Sequence, residues 1–495
     1  MSSELLVNVT PMETRVALVS NGILQEIAVE RSKSRGIVGN IYCGKVVRVL
    51  PGMQAAFVDI GQARSGFIHV DDIHRDQDET RGTNRNIRDL LAEGQSVVVQ
   101  VIKDPIGSKG ARLTTQLSVS SRYLVYMAGV DHIGISQRIE CEEERERLRQ
   151  AVLDVTGELA SERGGDAPQG NAGFIVRTVA EGIKTAELRS EIVYLQNLWH
   201  QVRELLKRAR PGELIYEDLA LYLRFVRDMF TEEVEKVRVD CEVVYRRLLE
   251  FTRRTCPELE PLLELHDSGR ALFSFYGIED ELDRALQRKV ELKSGGYLIF
   301  DQTEAMTTID VNTGAFVGHR NLEETIFKTN LEAAAVIARQ LRLRNLGGII
   351  IIDFIDMTDP EHTRQLLRLL EKALERDRVK TTISGISALG LVEMTRKRTS
   401  ESLGRLLCEP CSTCEGRGYI KSPETVCYEI LRSIQRAAYA FDSGNLLILA
   451  SPVVIDRLLD EESAVVAEIE AVIGKSIQFR VEEHYPQDQF DIIPV

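Results

Sequence analysis

No stretch of this chain approaches the roughly 18–20 consecutive apolar residues that a membrane span needs. Its first residues, Met1-Ser2-Ser3-Glu4, lack the basic segment followed by an apolar one that marks a secretion signal. Cysteine is scarce: eight in 495 residues, too few and too unevenly placed for a disulfide scaffold. These absences lead to the expectation of a cytoplasmic protein in a reducing compartment. The composition is that of an ordinary globular protein, 43% hydrophobic and 28% charged. The length suits roughly three or four domains of about 100–200 residues each.

The net charge of −14 argues mildly against a nucleic-acid partner. Its distribution says more than its sum. Residues 36–125 hold 11 Lys and Arg against 9 Asp and Glu, a net of +2. An acidic total with local basic faces suits an enzyme that grips and releases a polyanion. It suits a generic acidic protein equally well.

Residues 4–31 alternate apolar and polar, and Asn21-Gly22 between the runs predicts a hairpin. Residues 36–122 contain five short strand-like runs, at 40–50, 52–60, 66–70, 95–102 and 111–117, with a polar insertion at 74–88. This pattern predicts a small barrel of the OB type. Phe57 and Phe67 fall in it, with Lys45, Lys103, Lys109 and Arg112 nearby. On a barrel face such residues stack bases and follow a phosphate backbone; by period alone Phe57 and Phe67 read rather as core. A charged helix over 140–153, a flexible loop at 161–171 and a strand at 173–178 ending in Arg177 and Thr178 come next. That cation and hydroxyl could hold a phosphate, or Arg177 is a plain surface residue. Residues 186–256 read as largely helical, and another helix is expected over 279–293. From 295 to 407 strands and helices alternate, an α/β pattern. Asn321 is placed to cap a helix running to about Arg344. The last 70 residues or so, with strands at 446–450 and 477–482, read as a small α+β unit.

Two acidic strand tips carry the chemistry. Asp310 and Asn312, two apart in Ile309-Asp310-Val311-Asn312, project to one face of an extended strand. Asp353 ends Gly347-Gly348-Ile349-Ile350-Ile351-Ile352, read as a buried central strand. The helix between them is a plausible crossover that sets the strands side by side. A carboxylate leaving the core is costly unless it is paired or holds a cation. Two of them with an amide are hard oxygen ligands suited to Mg²⁺, although turn or capping roles fit such tips too. Asp356 points to the opposite face if the strand persists. Lys380, Arg396, Lys397 and Arg398 follow; they could flank RNA at the site or form a solvated basic face.

The cysteines cluster late. Cys408-Glu409-Pro410-Cys411-Ser412-Thr413-Cys414-Glu415-Gly416-Arg417-Gly418 contains a CxxCxGxG pattern, half of a structural zinc site. Cys408 and Cys427 could complete it within one chain, or a second chain could supply the other half. An iron–sulfur cluster or a redox pair are alternatives.

Long strings here resemble the ribonuclease E/G family. They are residues 290–299, 301–314 and 339–348, then Ile352-Asp353-Phe354-Ile355-Asp356-Met357, Ala55-Ala56-Phe57-Val58-Asp59-Ile60-Gly61 and Gly173-Phe174-Ile175-Val176-Arg177-Thr178. The resemblance runs from about residue 4 to the end, and the long disordered C-terminal arm of the family's larger form is not expected. It implies a multidomain α+β architecture. Residues 1–35 and 214–278 would form an RNase H-like domain, 36–122 an inserted OB-fold RNA-binding domain and 123–213 a 5′-phosphate sensor region. Residues 279–407 would be a DNase I-like catalytic domain, 408–422 a zinc-link and 423–495 a small C-terminal domain.

In function, the resemblance implies a Mg²⁺-dependent, single-strand-specific endoribonuclease that leaves 5′-phosphate and 3′-hydroxyl ends. It implies stimulation by a 5′-monophosphate, with tasks in ribosomal RNA 5′-end maturation and messenger RNA decay. Asp310 and Asp353 match the Mg²⁺ ligands and Asn312 the active-site asparagine. Phe57, Phe67, Lys103, Lys109 and Lys380 match RNA contacts, the last near the active site. Arg138, Arg177 and Thr178 match the 5′-phosphate pocket. Cys411 and Cys414 match a pair that shares one Zn²⁺ between protomers, giving a dimer or a dimer of dimers; Cys408 is an extra neighbour. A non-catalytic RNA-binding protein and a DNA-cleaving phosphodiesterase are the rival readings.

Overall fold

The computed structural model describes residues 3–74, 86–105, 109–162, 172–229, 234–255, 257–314, 322–440 and 444–495. The polar insertion is thus largely outside the described residues, as are most of the loop at 161–171 and the Asn321 cap. The chain forms two units, residues 1–406 and 407–495.

In the first unit, β1 (Ser3–Val9), β2 (Glu13–Ser20) and β3 (Ile23–Arg31) form consecutive hairpins. Asn21 and Gly22 have φ of 50° and 75°. Two left-handed residues match the twist of the flanking strands, as the dipeptide predicts. Next come β4 (Ile41–Leu50), β5 (Ala55–Asp59), β6 (Gly66–His69), β7 (Ser96–Lys103) and β8 (Arg112–Thr114). They pair in the order β4-β5-β6-β8-β7, and β7 returns to β4 to close a barrel. The second strand starts later than expected. Pro51–Met53 make a 3-10 turn and Gln54 sits at φ 48°, so the chain reverses before Ala55.

A four-stranded sheet follows: β9 (Ser118–Ser120), β10 (Leu124–Ala128), β11 (Ile133–Ile135) and β12 (Ala172–Val176), in the order β11-β12-β10-β9. Helices Glu142–Glu162 and Thr185–Leu206 share a core with it, including Val152, Phe174, Leu188, Leu195 and Trp199. The first of these helices outruns its expected end at 153.

Residues 186–256 are largely helical, as expected, in helices Thr185–Leu206, Leu221–Met229 and Glu242–Thr255. Two strands interrupt them, β13 (Leu214–Tyr216) on the outside of β4 and β14 (Val234–Val239) parallel to β1. β14 and β15 (Leu263–Leu265) complete the sheet order β15-β14-β1-β2-β3. The strands escape a local reading because their partners lie some two hundred residues away and Glu235, Lys236 and Arg238 break the apolar pattern of β14. One sheet therefore unites the chain's first 31 residues with residues 234–265, and the barrel lies between them in sequence.

The last sheet of this unit holds β16 (Lys289–Glu291), β17 (Tyr297–Gln302), β18 (Met306–Asn312), β19 (Gly348–Asp353), β20 (Thr381–Ile386) and β21 (Val392–Arg396). Its order is β16-β17-β18-β19-β21-β20. The helix expected over 279–293 is Ile278–Leu286, and Lys289–Glu291 pairs with β17 instead. The reason is visible in the spacing: Ile278, Leu282 and Ala285 follow a helical period, whereas Val290 and Leu292 alternate. Helix Leu322–Leu343 is the crossover between the parallel strands β18 and β19. It and helix Pro360–Leu374 cover one face, with Ile337, Leu341, Leu366 and Leu370 packed on Ile309, Ile350 and Ile352. The isoleucine strand is central but buried on one face only, because Ile349 on the other face is exposed.

The second unit has helix Pro423–Ala440, β22 (Asn445–Ala450), helices Pro452–Asp460 and Ser463–Ile473, β23 (Ser476–Val481) and β24 (Phe490–Pro494). β22 is central, parallel to β23 and antiparallel to β24. This is the α+β unit expected.

Candidate active site and RNA-binding face

β18 and β19 run parallel in a register that sets Asp310 opposite Asp353. Opposed residues on neighbouring strands are roughly 4.8 Å apart and project to the same face. Along β18 the flanking Ile309 and Val311 are buried and Asp310 is exposed. The two acids thus lie together on the sheet face opposite the helices. Asn312 Nδ2 donates to Asp310 Oδ2 at 2.8 Å, which orients that carboxylate. Partial burial raises the Asp353 carboxyl above its ordinary range, and the charges of Asp310 and Asp356 raise it further. β19 ends at Asp353, so the strand does not persist and the expected reversal of Asp356 does not apply. Among the described residues no Lys or Arg pairs with Asp310 or Asp353. Uncompensated, converging carboxylates with an amide beside them fit a hard divalent cation, which needs one or two protein carboxylates and takes its remaining ligands from water and phosphate.

Glycines let the backbone close behind this site. A Cβ on Gly296 would lie 2.6 Å from the Asn312 carbonyl oxygen, and one on Gly314 (φ 60°) 2.4 Å from that of Gly295.

On the barrel, Phe57 and Phe67 are cross-strand partners with ring centroids 6.1 Å apart in an edge-to-face arrangement. Ala56, Val58 and Ile68 beside them are fully buried, so the period of two turns both rings out of the barrel core. Neither ring belongs to the barrel core, so the core reading does not hold. The register extends the row across the sheet. Arg48 pairs with Phe57, Phe67 with Arg112, and Arg112 with Lys103. Two aromatic rings are therefore flanked by cations on both sides. Asp72 steadies Arg112, accepting from Nε at 2.9 Å and Nη2 at 3.2 Å. Lys109 is exposed in the segment leading into β8. Sequence reading passed over Arg48, whose place in the row depends on cross-strand pairing.

β11 and β12 are parallel with Ile135 opposite Val176, which brings Ser136 beside Arg177 and Thr178. The Thr178 and Ser136 hydroxyls are 2.8 Å apart. Arg177 donates to the Ser121 carbonyl at 2.9 Å and to Asp228 Oδ1 at 2.7 Å. Arg177 is thus a tied residue rather than a free surface one. Burial pushes the Asp228 carboxyl up, but hydrogen bonds and charge from Arg227 and Arg177 prevail and hold it below the usual range. Arg138 Nη2 donates to the Arg378 carbonyl at 3.0 Å, and Arg378 in turn hydrogen-bonds the Asp228 carbonyl.

The basic residues after β19 do not gather at the acid pair. Thr381 is level with Arg396, and Arg396 with Gly348 at the start of β19. Lys380 therefore stands at the far end of the sheet, roughly 20 Å of strand away from Asp353. It is two residues beyond Arg378, on the side of Arg138. Arg396 is buried in a bidentate pair with Asp377 (Nε–Oδ2 2.7 Å) and donates to the Leu346 carbonyl at 2.9 Å. Arg398 donates to the Gly347 carbonyl at 2.9 Å. Both arginines tie down the base of β19; Arg396 neither flanks the acids nor forms part of a solvated face.

In the second unit, the amides of Glu415 and Arg417 donate to the carbonyls of Cys411 and Cys414 at 2.7 and 2.8 Å. Glu415, Gly416 and Gly418 have φ of 51°, 84° and 80°, a tight knuckle. Hydrogen bonds from the backbone of Cys414 and Thr413 hold the Cys411 thiol below its ordinary range, toward the thiolate that metals bind. Cys427 is fully buried in the helix core, where its thiol donates to the Val454 carbonyl at 3.6 Å and burial pushes its pKa up to about 11. That removes the single-chain site built on Cys427. No group of three or more His, Cys, Asp or Glu is placed to hold a metal among the described residues. Cys411 and Cys414 alone are half of a tetrahedral thiolate site.

The model of the ribonuclease E/G family matches residues 118–399, that of the S1 RNA-binding domain residues 37–104, and that of the RNase E/G thioredoxin-like domain residues 410–495. The chain is 54% identical to ribonuclease G of Escherichia coli (strain K12), over 100% of both chains. It is 50% identical to ribonuclease G of Haemophilus influenzae, over 99% of each. Ribonuclease E of Escherichia coli (strain K12) is 36% identical over 94% of this chain and 43% of its own length. No helix among the described residues is long and apolar enough to cross a membrane.

Proposed function

Because this chain belongs to the ribonuclease E/G family and is an endoribonuclease, we propose that it cuts single-stranded RNA at Asp310 and Asp353 with Mg²⁺. Cleavage leaves 5′-phosphate and 3′-hydroxyl ends. The observation that carries this reading is the register that opposes the two acids, with Asn312 bonded to one of them. Asp310 and Asp353 would hold the ion. Bound there, Mg²⁺ supplies charge stabilisation at the scissile phosphate and acidifies an attacking water. Asn312 keeps the Asp310 carboxylate turned toward its partner. Phe57 and Phe67 stack two bases, and Arg48, Lys103, Lys109 and Arg112 follow the backbone.

Arg138, Arg177 and Thr178 receive a 5′-terminal monophosphate, with Lys380 taking RNA backbone on that side of the sheet. Cys411 and Cys414 of two chains share one Zn²⁺, which makes the working enzyme a dimer or a dimer of dimers. Residues 1–35 with 214–278 form the RNase H-like part and 279–407 the DNase I-like part. The tasks are ribosomal RNA 5′-end maturation and messenger RNA decay in the cytoplasm.

The test is cleavage of a short labelled RNA bearing either a 5′-phosphate or a 5′-hydroxyl, with and without Mg²⁺. Wild type should cut the phosphorylated RNA faster and only with the ion. Asp310→Asn and Asp353→Asn should bind RNA and leave it intact. Cleavage that survives both changes removes the acids from the reaction, and equal cleavage of matched single-stranded DNA removes the RNA specificity.

A further inference from the structure

Two side chains of the crossover helix Leu322–Leu343, Asn330 and Glu323, grip the segment that leaves Asp353, and a third, Phe327, packs on the helix that follows it. Asn330 is fully buried. Its Nδ2 donates to the Ile355 carbonyl at 2.8 Å, and its Oδ1 accepts from the Ile355 amide at 3.1 Å. Glu323 accepts from the Thr358 hydroxyl at 2.6 Å and from the Asp359 amide at 3.1 Å. Between them Phe327 stacks on His362, ring centroids 4.1 Å apart and planes 12° from parallel. Positions 323, 327 and 330 follow the spacing of one helix face.

The segment they hold, residues 354–359, belongs to no helix or strand. The sheet ladder stops at Asp353. Asn330 gives Ile355 what a neighbouring strand would give, one donor and one acceptor. A buried side chain that satisfies both backbone groups of one residue holds the two peptides on either side of it in one position. Ile355 lies two residues past Asp353 and one before Asp356, whose charge reaches Asp353. The clamp thus fixes the chain two residues past the end of β19 and Asp353.

We infer that Asn330, with Phe327 and Glu323 on the same helix face, is the positioning residue of the acid pair. This rests on reading Asp310 and Asp353 as ligands of a divalent cation. Residues that orient metal ligands from behind typically change affinity 10–100-fold when removed. A tie that only stabilised the fold would lower the melting temperature and leave cation affinity unchanged.

The experiment titrates Mn²⁺ into the full-length chain without RNA and follows free Mn²⁺ by electron paramagnetic resonance. The variants are Asp353→Asn, Asn330→Leu, which keeps the volume and loses both hydrogen bonds, and Thr358→Val, which cuts the milder tie at an exposed hydroxyl. We expect Asn330→Leu to weaken Mn²⁺ binding about 10–100-fold and Thr358→Val a few-fold, with RNA binding in EDTA within twofold of wild type. If Asn330→Leu does not fold, Thr358→Val decides. Wild-type Mn²⁺ affinity in the folded tie variant, with binding lost in Asp353→Asn, overturns the positioning role alone. Wild-type affinity in Asp353→Asn as well takes down the cation reading and this inference with it.

Discussion

Asp310→Asn should make the metal-free protein melt higher than wild type while making it blind to Mg²⁺. The two acids face each other across adjacent parallel strands. At the roughly 4.8 Å spacing of neighbouring strands, like unit charges repel by about 1 kcal/mol in water-like surroundings. Both side chains are exposed, so the water-like figure applies and the far larger interior figure does not. Removing one charge at nearly constant shape relieves that repulsion. About 1 kcal/mol corresponds to about 2–4 °C for a cooperative unit of 150–250 residues. At tenfold excess over its dissociation constant, Mg²⁺ should return about 1.4 kcal/mol to wild type and little to Asp310→Asn.

The pH dependence has a definite sign. Burial, Asp310 and Asp356 raise the Asp353 carboxyl. A raised folded value contributes stability that is fully present below the unfolded pKa of about 3.9 and is lost as pH rises through the folded value. The gap between Asp310→Asn and wild type should therefore open as pH rises from the acid side and then level off. Thermal melts in EDTA and in Mg²⁺, repeated across pH, measure all of this. A lower melting point for Asp310→Asn in EDTA, or an equal Mg²⁺ shift in both proteins, would refute the idea that the acids share one field and one ion.

Phe57→Ala and Phe67→Ala should each weaken binding of a short single-stranded RNA by about 1–3 kcal/mol. The melt should change little, because neither ring belongs to the barrel core; a large loss of stability with unchanged RNA affinity would return them to a packing role. Cys411→Ser should dissociate the assembly and release one zinc per two chains, read by native mass and metal content. Cys427→Ala should keep zinc and mass while losing stability, since it empties a buried position in the helix core. One zinc per chain with no change in mass would reject the shared site.

What the chain reveals along its own length is local. Alternation with glycine punctuation marks β4 to β8, Asn21-Gly22 marks a hairpin, and a helical period marks the crossover before β19. Residue types alone name the chemistry: acids and an amide, rings beside lysines, a cysteine pair in a glycine-rich turn. Such signals depend on neighbours within a few residues, which one sequence displays. Partners and registers do not. Only the folded chain sets β14 beside β1, turns Phe57 and Phe67 outward, sinks Cys427 into a core and carries Lys380 to the far end of the sheet from Asp353. It alone aligns Asp310 with Asp353. Those outcomes come from contacts between distant segments, made only when whole elements pack and bury their apolar faces together.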